Sequence, residues 1–265
     1  MIEHLTIIKV GGKVVEEEES LQNLLRDFSR IAGNKILVHG GGTKATAIGE
    51  KLGVKPKMVE GRRVTDEGTL EVVTMVYAGL VNKNLVAKLQ ALGTNALGLT
   101  GADLDVVRAK KRPVAEVDYG FVGDVVNVNN RMLRELLENG AVPVVAPITH
   151  DGDGQLFNTN ADTIASELAI ALSSSYRVTL IYCFDKRGVL MDESDEDSVI
   201  DEITMAEFEE MKSTGTVNGG MIPKLTTGFN AMKQGVNAVV VTNASALSGS
   251  KGGTRLALFH EEEEE

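Results

Sequence analysis

The alternation of short apolar runs with helical stretches predicts an α/β fold on an open, mainly parallel sheet sandwiched by helices. Three observations carry this reading. β-Branched runs stop at paired or tripled glycines and are followed by segments of helical length, the pattern of a parallel sheet with helical crossovers. The 265 residues include 28 glycines and no Trp, which suits tight strand-to-helix turns and backbone approached closely by a ligand. Hydrophobic residues at 43% and charged residues at 25% are ordinary for a globular protein, so global disorder is excluded. A chain of this length holds one large α/β unit or two fused lobes.

TIIKV at 6–10 is the first strand, ended by Gly11 and Gly12. Residues 16–32 follow as a helix, with Leu21, Leu24, Leu25, Phe28 and Ile31 at helical spacing. KILVH at 35–39 is the second strand, ended by Gly40, Gly41 and Gly42, and 43–52 is the next helix. From 69 to 92 the apolar residues Leu70, Val73, Val76, Tyr77, Leu80, Val81, Leu85 and Leu89 cover more than one stripe. Such a helix has two faces to bury, in a central core or against a second subunit. Alternating runs within 103–129, broken by Pro113 and Gly120, predict inserted antiparallel hairpins.

PVVAPI at 143–148 is a buried strand and DGDG at 151–154 a hairpin turn. An EF-hand reading of that turn fails, because Gln155 and Leu156 occupy a ligand position and the invariant-glycine position. Helix 161–172 and strand 177–183 flank SSS at 173–175, a lobe boundary. This divides the chain into an N-terminal lobe 1–174, a C-terminal lobe 175–260 and an acidic tail 261–265. In the second lobe 205–211 and 221–234 read as helices and 237–242 as a strand.

Asp and Glu number 38 against 27 Lys and Arg, a net charge of -11. That balance argues against a nucleic-acid or anionic-membrane surface. A single cysteine, Cys183, excludes an intrachain disulfide and a multi-Cys zinc site. The four histidines lack metal-ligand spacing, and no GxSxG elbow occurs. The longest apolar run, 141–148, is too short to span a bilayer and holds two prolines. Nothing before Leu5 resembles a signal peptide, so a soluble cytoplasmic protein is expected.

Four constellations carry chemistry. KVGG at 9–12 puts Lys9 and glycine N–H groups at a strand end, where open α/β sheets bind ligands; an ordinary turn is the plainer reading. HGGG at 39–42 offers a nest of N–H donors before a helix. Its Gly40, Gly42 and Ala45, with Glu60, also satisfy a loose dinucleotide pattern. NTNAD at 158–162 is a capping motif or a substrate and lysine-orienting site. GGMIPK at 219–224 places Lys224 one turn into a helix, solvated or functional. Glycine N–H groups, two lysines and an orienting carboxylate are the equipment of phosphoryl transfer.

Together with GRRVTD at 61–66, MVYAGLVNKNLV at 75–86, GFVGDV at 120–125 and DKRGVL at 185–190, these motifs stand in order over nearly the whole chain. On them the sequence resembles the amino-acid kinase family, in its acylglutamate branch. The resemblance implies that family's fold, with acylglutamate binding and dimerisation in the N-terminal lobe and ATP binding in the C-terminal lobe. It implies ATP-dependent phosphorylation, with Mg²⁺, of the side-chain carboxylate of N-acetyl-L-glutamate in arginine biosynthesis. Lys9 and Lys224 would then stabilise the transferring group, with Asp162 holding both. Gly12, Gly41 and Gly42 would line the transfer site, Arg63 and Asn158 would grip the substrate, and Asp185 and Asn218 would face the nucleotide.

Two departures stand out: Phe184 replaces a hydroxyl-bearing residue, and Ala102, Asp103 and Leu104 replace a DG step. Arg62 or the basic stretch 110–112 could receive a further carboxylate, making N-succinylglutamate an alternative substrate. Other amino-acid kinases, a silent nucleotide or amino-acid sensor, and a Rossmann dehydrogenase compete, the last leaving NTNAD and GGMIPK unexplained. Arginine-inhibited relatives carry an extra N-terminal helix. The first strand here begins near Leu5, so an arginine-insensitive homodimer joined through helix 69–92 is expected.

Overall fold

The computed structural model describes residues 2–59, 61–192, 194–217, 219–244, 247 and 252–259. Its main sheet has eight strands in the order Glu202–Thr204, Thr254–Ala257, Ala238–Asn243, Arg177–Phe184, His4–Val10, Asn34–His39, Val142–Val145 and Ala96–Leu99. From Ala238–Asn243 to Ala96–Leu99 all neighbours are parallel. Thr254–Ala257 turns antiparallel against Ala238–Asn243 and carries Glu202–Thr204 parallel on its outer side. Arg177–Phe184 pairs with His4–Val10 along its length, so the sheet runs unbroken past the serines at 173–175.

His4–Val10 lies mid-sheet and is buried from Leu5 onwards, which explains an apolar run without alternation. Side chains still alternate between the faces. Leu5 and Ile7, with Ile36 and Val38, pack against Ile164 and Leu168 of helix Ala161–Ser173 and Phe229 of helix Met221–Lys233. Ile8, Val10 and Leu37 face the other way, against Leu24 and Leu25 of helix Glu18–Arg30 and against Val73 and Leu85. The two-residue period carries Lys9 to the face of helix Ala161–Ser173 and His39 to the opposite face.

The long helix over 67–91 contains a π-helical stretch, Thr74–Val81, between α-helical Glu67–Val73 and Asn82–Ala91. The wider π turn shifts the apolar face partway along. Val73, Val76, Tyr77, Val81, Leu85 and Leu89 therefore all reach the core, although an ideal helix spreads them over two stripes. Leu80 and Met75 remain exposed.

The hairpins expected within 103–129 appear as Val107–Lys111 against Gly123–Val128, in a four-stranded sheet with Ile148–His150 and Leu156–Asn158. PVVAPI is not one strand. Val142–Val145 stays in the main sheet and Ile148–His150 joins the small one, because Pro147 removes a ladder donor and fixes φ at the crossing. Helix 16–32 is likewise split, into Gly12–Glu16 and Glu18–Arg30, by an extended Glu17. The hairpin Lys57–Val59 with Arg62–Val64 and the helix Asn130–Glu138, capped by Asn129, add to the expected elements. No helix among the described residues is long and apolar enough to cross a membrane.

Candidate active site

Three adjacent parallel strands end together at Val10, His39 and Phe184. The glycines after the first two lean on each other. Gly40 donates its N–H to the Val10 carbonyl at 3.0 Å and Gly11 to the Cys183 carbonyl at 3.0 Å. A Cβ on Gly12 would come within 3.5 Å of the nitrogens of both Gly41 and Gly42. Gly12 and Gly42 each open a helix, where N–H groups have no intrahelical acceptor. Positive potential from backbone alone thus gathers at the sheet's carboxyl edge. Gly41 has φ of 156°, and a Cβ there would press on the Tyr77 ring at 3.1 Å.

Beside this turn lies a pocket of about 240 Å³, lined by Gly40, Gly41, Gly42, Arg62, Arg63, Tyr77, Arg112, Asn158, Thr159, Ala161 and neighbours. Arg63 crosses from its hairpin and donates through Nη2 to the Gly42 carbonyl at 2.9 Å and to Thr46 Oγ1 at 2.8 Å. Asn158 is held by its N–H to the Phe121 carbonyl and by Nδ2 to Thr65 Oγ1 at 3.0 Å. Burial pushes the Tyr77 hydroxyl above its usual range, and the Arg63 guanidinium opposes this.

Lys9, 8% exposed, forms an ion pair with Asp162 at 2.8 Å. Asp162 sits in the first turn of helix Ala161–Ser173, after the N-cap Asn160. Within NTNAD, Asn160 caps the helix, Asn158 lines the pocket and Asp162 pairs with Lys9. Lys224 lies in the first turn of helix Met221–Lys233, its ammonium 3.1 Å from the Gly220 carbonyl and 5.8 Å from the centre of the Phe184 ring. Among the described residues it has no ion pair with Asp162. Asp185 pairs instead with Lys13 at 2.9 Å and lines a second cavity of about 220 Å³ with Phe184 and Asn243. Asn218, Glu60 and the tail 261–265 lie outside the described residues.

The structure therefore brings Gly41, Gly42, Arg63 and Asn158 into one pocket, with Gly12 and the Lys9–Asp162 pair at the same sheet edge, and sets Asp185 apart. Arg112, from the basic stretch that could receive a further carboxylate, joins the pocket, and so does Tyr77, for which no site role was expected. Tyr77 is the single polar-tipped residue in an apolar run. Arg112 is fixed through Nε and Nη2 to Asp124 Oδ1, at 2.9 and 2.6 Å. Among the described residues no group of three or more His, Cys, Asp or Glu could hold a metal ion.

Residues 4–243 match the profile of the Amino acid kinase family. A protein of Bacteroides thetaiotaomicron named acetylglutamate kinase is 62% identical over 252 residues, covering 95% of this chain and 98% of its own length. Among solved structures, smu.665 from Streptococcus mutans has a TM-score of 0.78 at 28% identity, covering 96% of this chain and 99% of its own. N-acetylglutamate synthase from Neisseria gonorrhoeae shares the fold, with a TM-score of 0.82 at 20% identity over 97% of this chain and 60% of its own. The glycine-lined sheet edge, the pocket beside it and a match over most of the chain agree: this protein belongs to the amino acid kinase family.

Proposed function

We propose that the chain transfers the γ-phosphoryl group of ATP to the side-chain carboxylate of N-acetyl-L-glutamate, as an enzyme of arginine biosynthesis. The observation that carries this reading is the single pocket lined by the glycine turn, Arg63 and Asn158, next to a lysine held by a carboxylate. A carboxylate with a reference pKa of about 4.3 is ionised at pH 7 and needs no general base. One of its oxygens attacks the γ-phosphorus, the bond from that phosphorus to the bridging oxygen of ADP breaks, and no proton moves. The obstacle is charge, since unit charges about 4 Å apart repel by roughly 4 kcal/mol at an effective dielectric of about 20.

In this reading Lys9 and the N–H groups of Gly12, Gly41 and Gly42 supply the offset. Lys224 leaves the Gly220 carbonyl for the phosphoryl oxygens, and Asp162 holds both ammonium groups. Arg63 takes the substrate's α-carboxylate, where a planar fork suits two oxygens, and Asn158 its neighbourhood. Asp185 and Asn218 face the nucleotide in the lobe 175–260, while the lobe 1–174 binds the acylglutamate and forms a homodimer.

N-succinylglutamate is the second reading, favoured by Arg62 and Arg112 on the pocket wall. Arg112 is already neutralised by Asp124, which favours acetyl. Hydroxylamine trapping of acyl phosphate, with ATP and N-acetyl-, N-succinyl- or unacylated glutamate, tests both. Acyl phosphate is expected with the acetyl compound, and a preference above about tenfold in kcat/KM corresponds to some 1.4 kcal/mol. No acyl phosphate from any of them would leave a silent sensor as the better reading.

A further inference from the structure

His39 opens the HGGG motif yet lies wholly buried beneath the pocket, with 0% exposure. Its surroundings determine where its proton sits. Lys83, which can only donate, approaches Asn82 Oδ1 at 3.2 Å and the Gly98 carbonyl at 3.1 Å. On its other side the Asn82 amide nitrogen faces the Val144 carbonyl at 2.9 Å, which can only accept. The amide is therefore oriented with its NH₂ towards His39 Nε2, 3.1 Å away. Nε2 must accept, so the ring proton is on Nδ1, 2.8 Å from the Gly40 carbonyl oxygen. Gly98 leaves room for this arrangement, because a Cβ there would overlap the Asn82 oxygen and lie 2.7 Å from the Lys83 ammonium.

In a trans peptide the N–H points opposite to the C=O. Tying the Gly40 carbonyl down to the buried ring turns the Gly41 N–H away from His39, on the flank where a Cβ on Gly12 would lie 3.5 Å from the Gly41 nitrogen. Without the Nδ1 proton, two acceptors would face each other and the peptide would be driven to rotate. Its carbonyl would then meet the incoming anion.

We propose that His39 and Asn82 are positioning residues, a neutral relay that locks the Gly40–Gly41 peptide with its N–H directed at the transferring phosphoryl group. The relay rests on the kinase reading above. Burial supports neutrality, since it pushes the His39 pKa down to about 4.

Two measurements decide it. Nitrogen NMR of the full chain labelled with ¹⁵N-histidine should show His39 as the neutral Nδ1–H tautomer at pH 7. In the hydroxylamine assay His39→Leu should lower kcat at least about tenfold, the order of losing an oriented oxyanion donor, with the acylglutamate KM changed less than about threefold. His39→Asn, whose Nδ2 takes the place of Nδ1–H, should recover most of the lost kcat. An Nε2–H or charged ring, or a folded His39→Leu variant within twofold of wild-type kcat, overturns the relay. If His39→Leu does not fold, the tautomer and the His39→Asn turnover decide, and a loss above tenfold in the latter counts against it. Wild-type protein without turnover on any acylglutamate is a failure of the kinase reading, and the tautomer then still stands as the test of the relay.

Discussion

Lys9 and Lys224 reach the sheet edge with different attachments, and this difference decides what their removal does. Lys9 is pinned by Asp162 under the glycine turn, so Lys9→Ala also leaves a half-buried carboxylate without its partner. Among the described residues Lys224 holds only a backbone carbonyl and the face of Phe184, so its loss is read more directly in the chemical step. Lys224→Ala should lower kcat by about 10²–10³ with the acylglutamate KM nearly unchanged. Arg63→Ala should instead raise that KM tenfold or more, about 1.5–3 kcal/mol for a charged hydrogen bond. Steady-state kinetics separates the two, and equal effects on both parameters would refute the assignment.

His39 adds a pH dependence of stability. Its folded pKa of about 4 lies below the ordinary 6.5, so the unfolded chain binds more protons between these values. The contribution is fully present above about pH 6.5 and is lost as pH falls through about 4, roughly 3 kcal/mol in all. Urea unfolding at pH 7 and 4.5 should show a shallower pH slope for His39→Asn than for wild type.

At the scale of elements, two irregular segments stand out. In the turn Asp103–Asp105, Leu104 and Asp105 take φ of 55° and 52°, a conformation that costs a residue with a Cβ about 1–2 kcal/mol. Leu104 is 51% exposed and contributes no core packing to offset this. Leu104→Gly should therefore raise stability by roughly 0.5–1 kcal/mol after glycine's extra chain entropy. A lower urea midpoint would show that the Leu104 side chain is held by something stronger than its backbone strain. The second segment is the π-helical stretch, which brings Tyr77 over Gly41 and Asn82 under His39 from one continuous helix. Periodicity alone could not show this, because a single π turn displaces every later residue around the axis.

For the whole molecule, the exposed Met75, at 54%, and Leu80, at 43%, lie on the helix proposed to join two subunits. An isologous contact would cover both. Light scattering should give twice the 28.3 kDa chain mass, and Leu80→Asp with Met75→Asp should halve it; a wild-type monomer would refute the contact. By itself the sequence determined the alternation of strands and helices, the glycine-ended strands and the catalytic-site candidates beside them, because these depend on neighbours within a few residues. Once the strands are placed, their two-residue period puts Lys9 on the face of Leu5 and Ile7, and His39 on that of Leu37. What those faces meet is a property of packing. The resemblance already implied that Asp162 holds both lysines; only the tertiary structure decided that it meets Lys9 alone among the described residues, that Asp185 pairs with Lys13, and that Tyr77 completes the pocket wall. A side chain's partner is set by which helix the sheet's twist and crossovers lay over it, and that arrangement is encoded in no local segment.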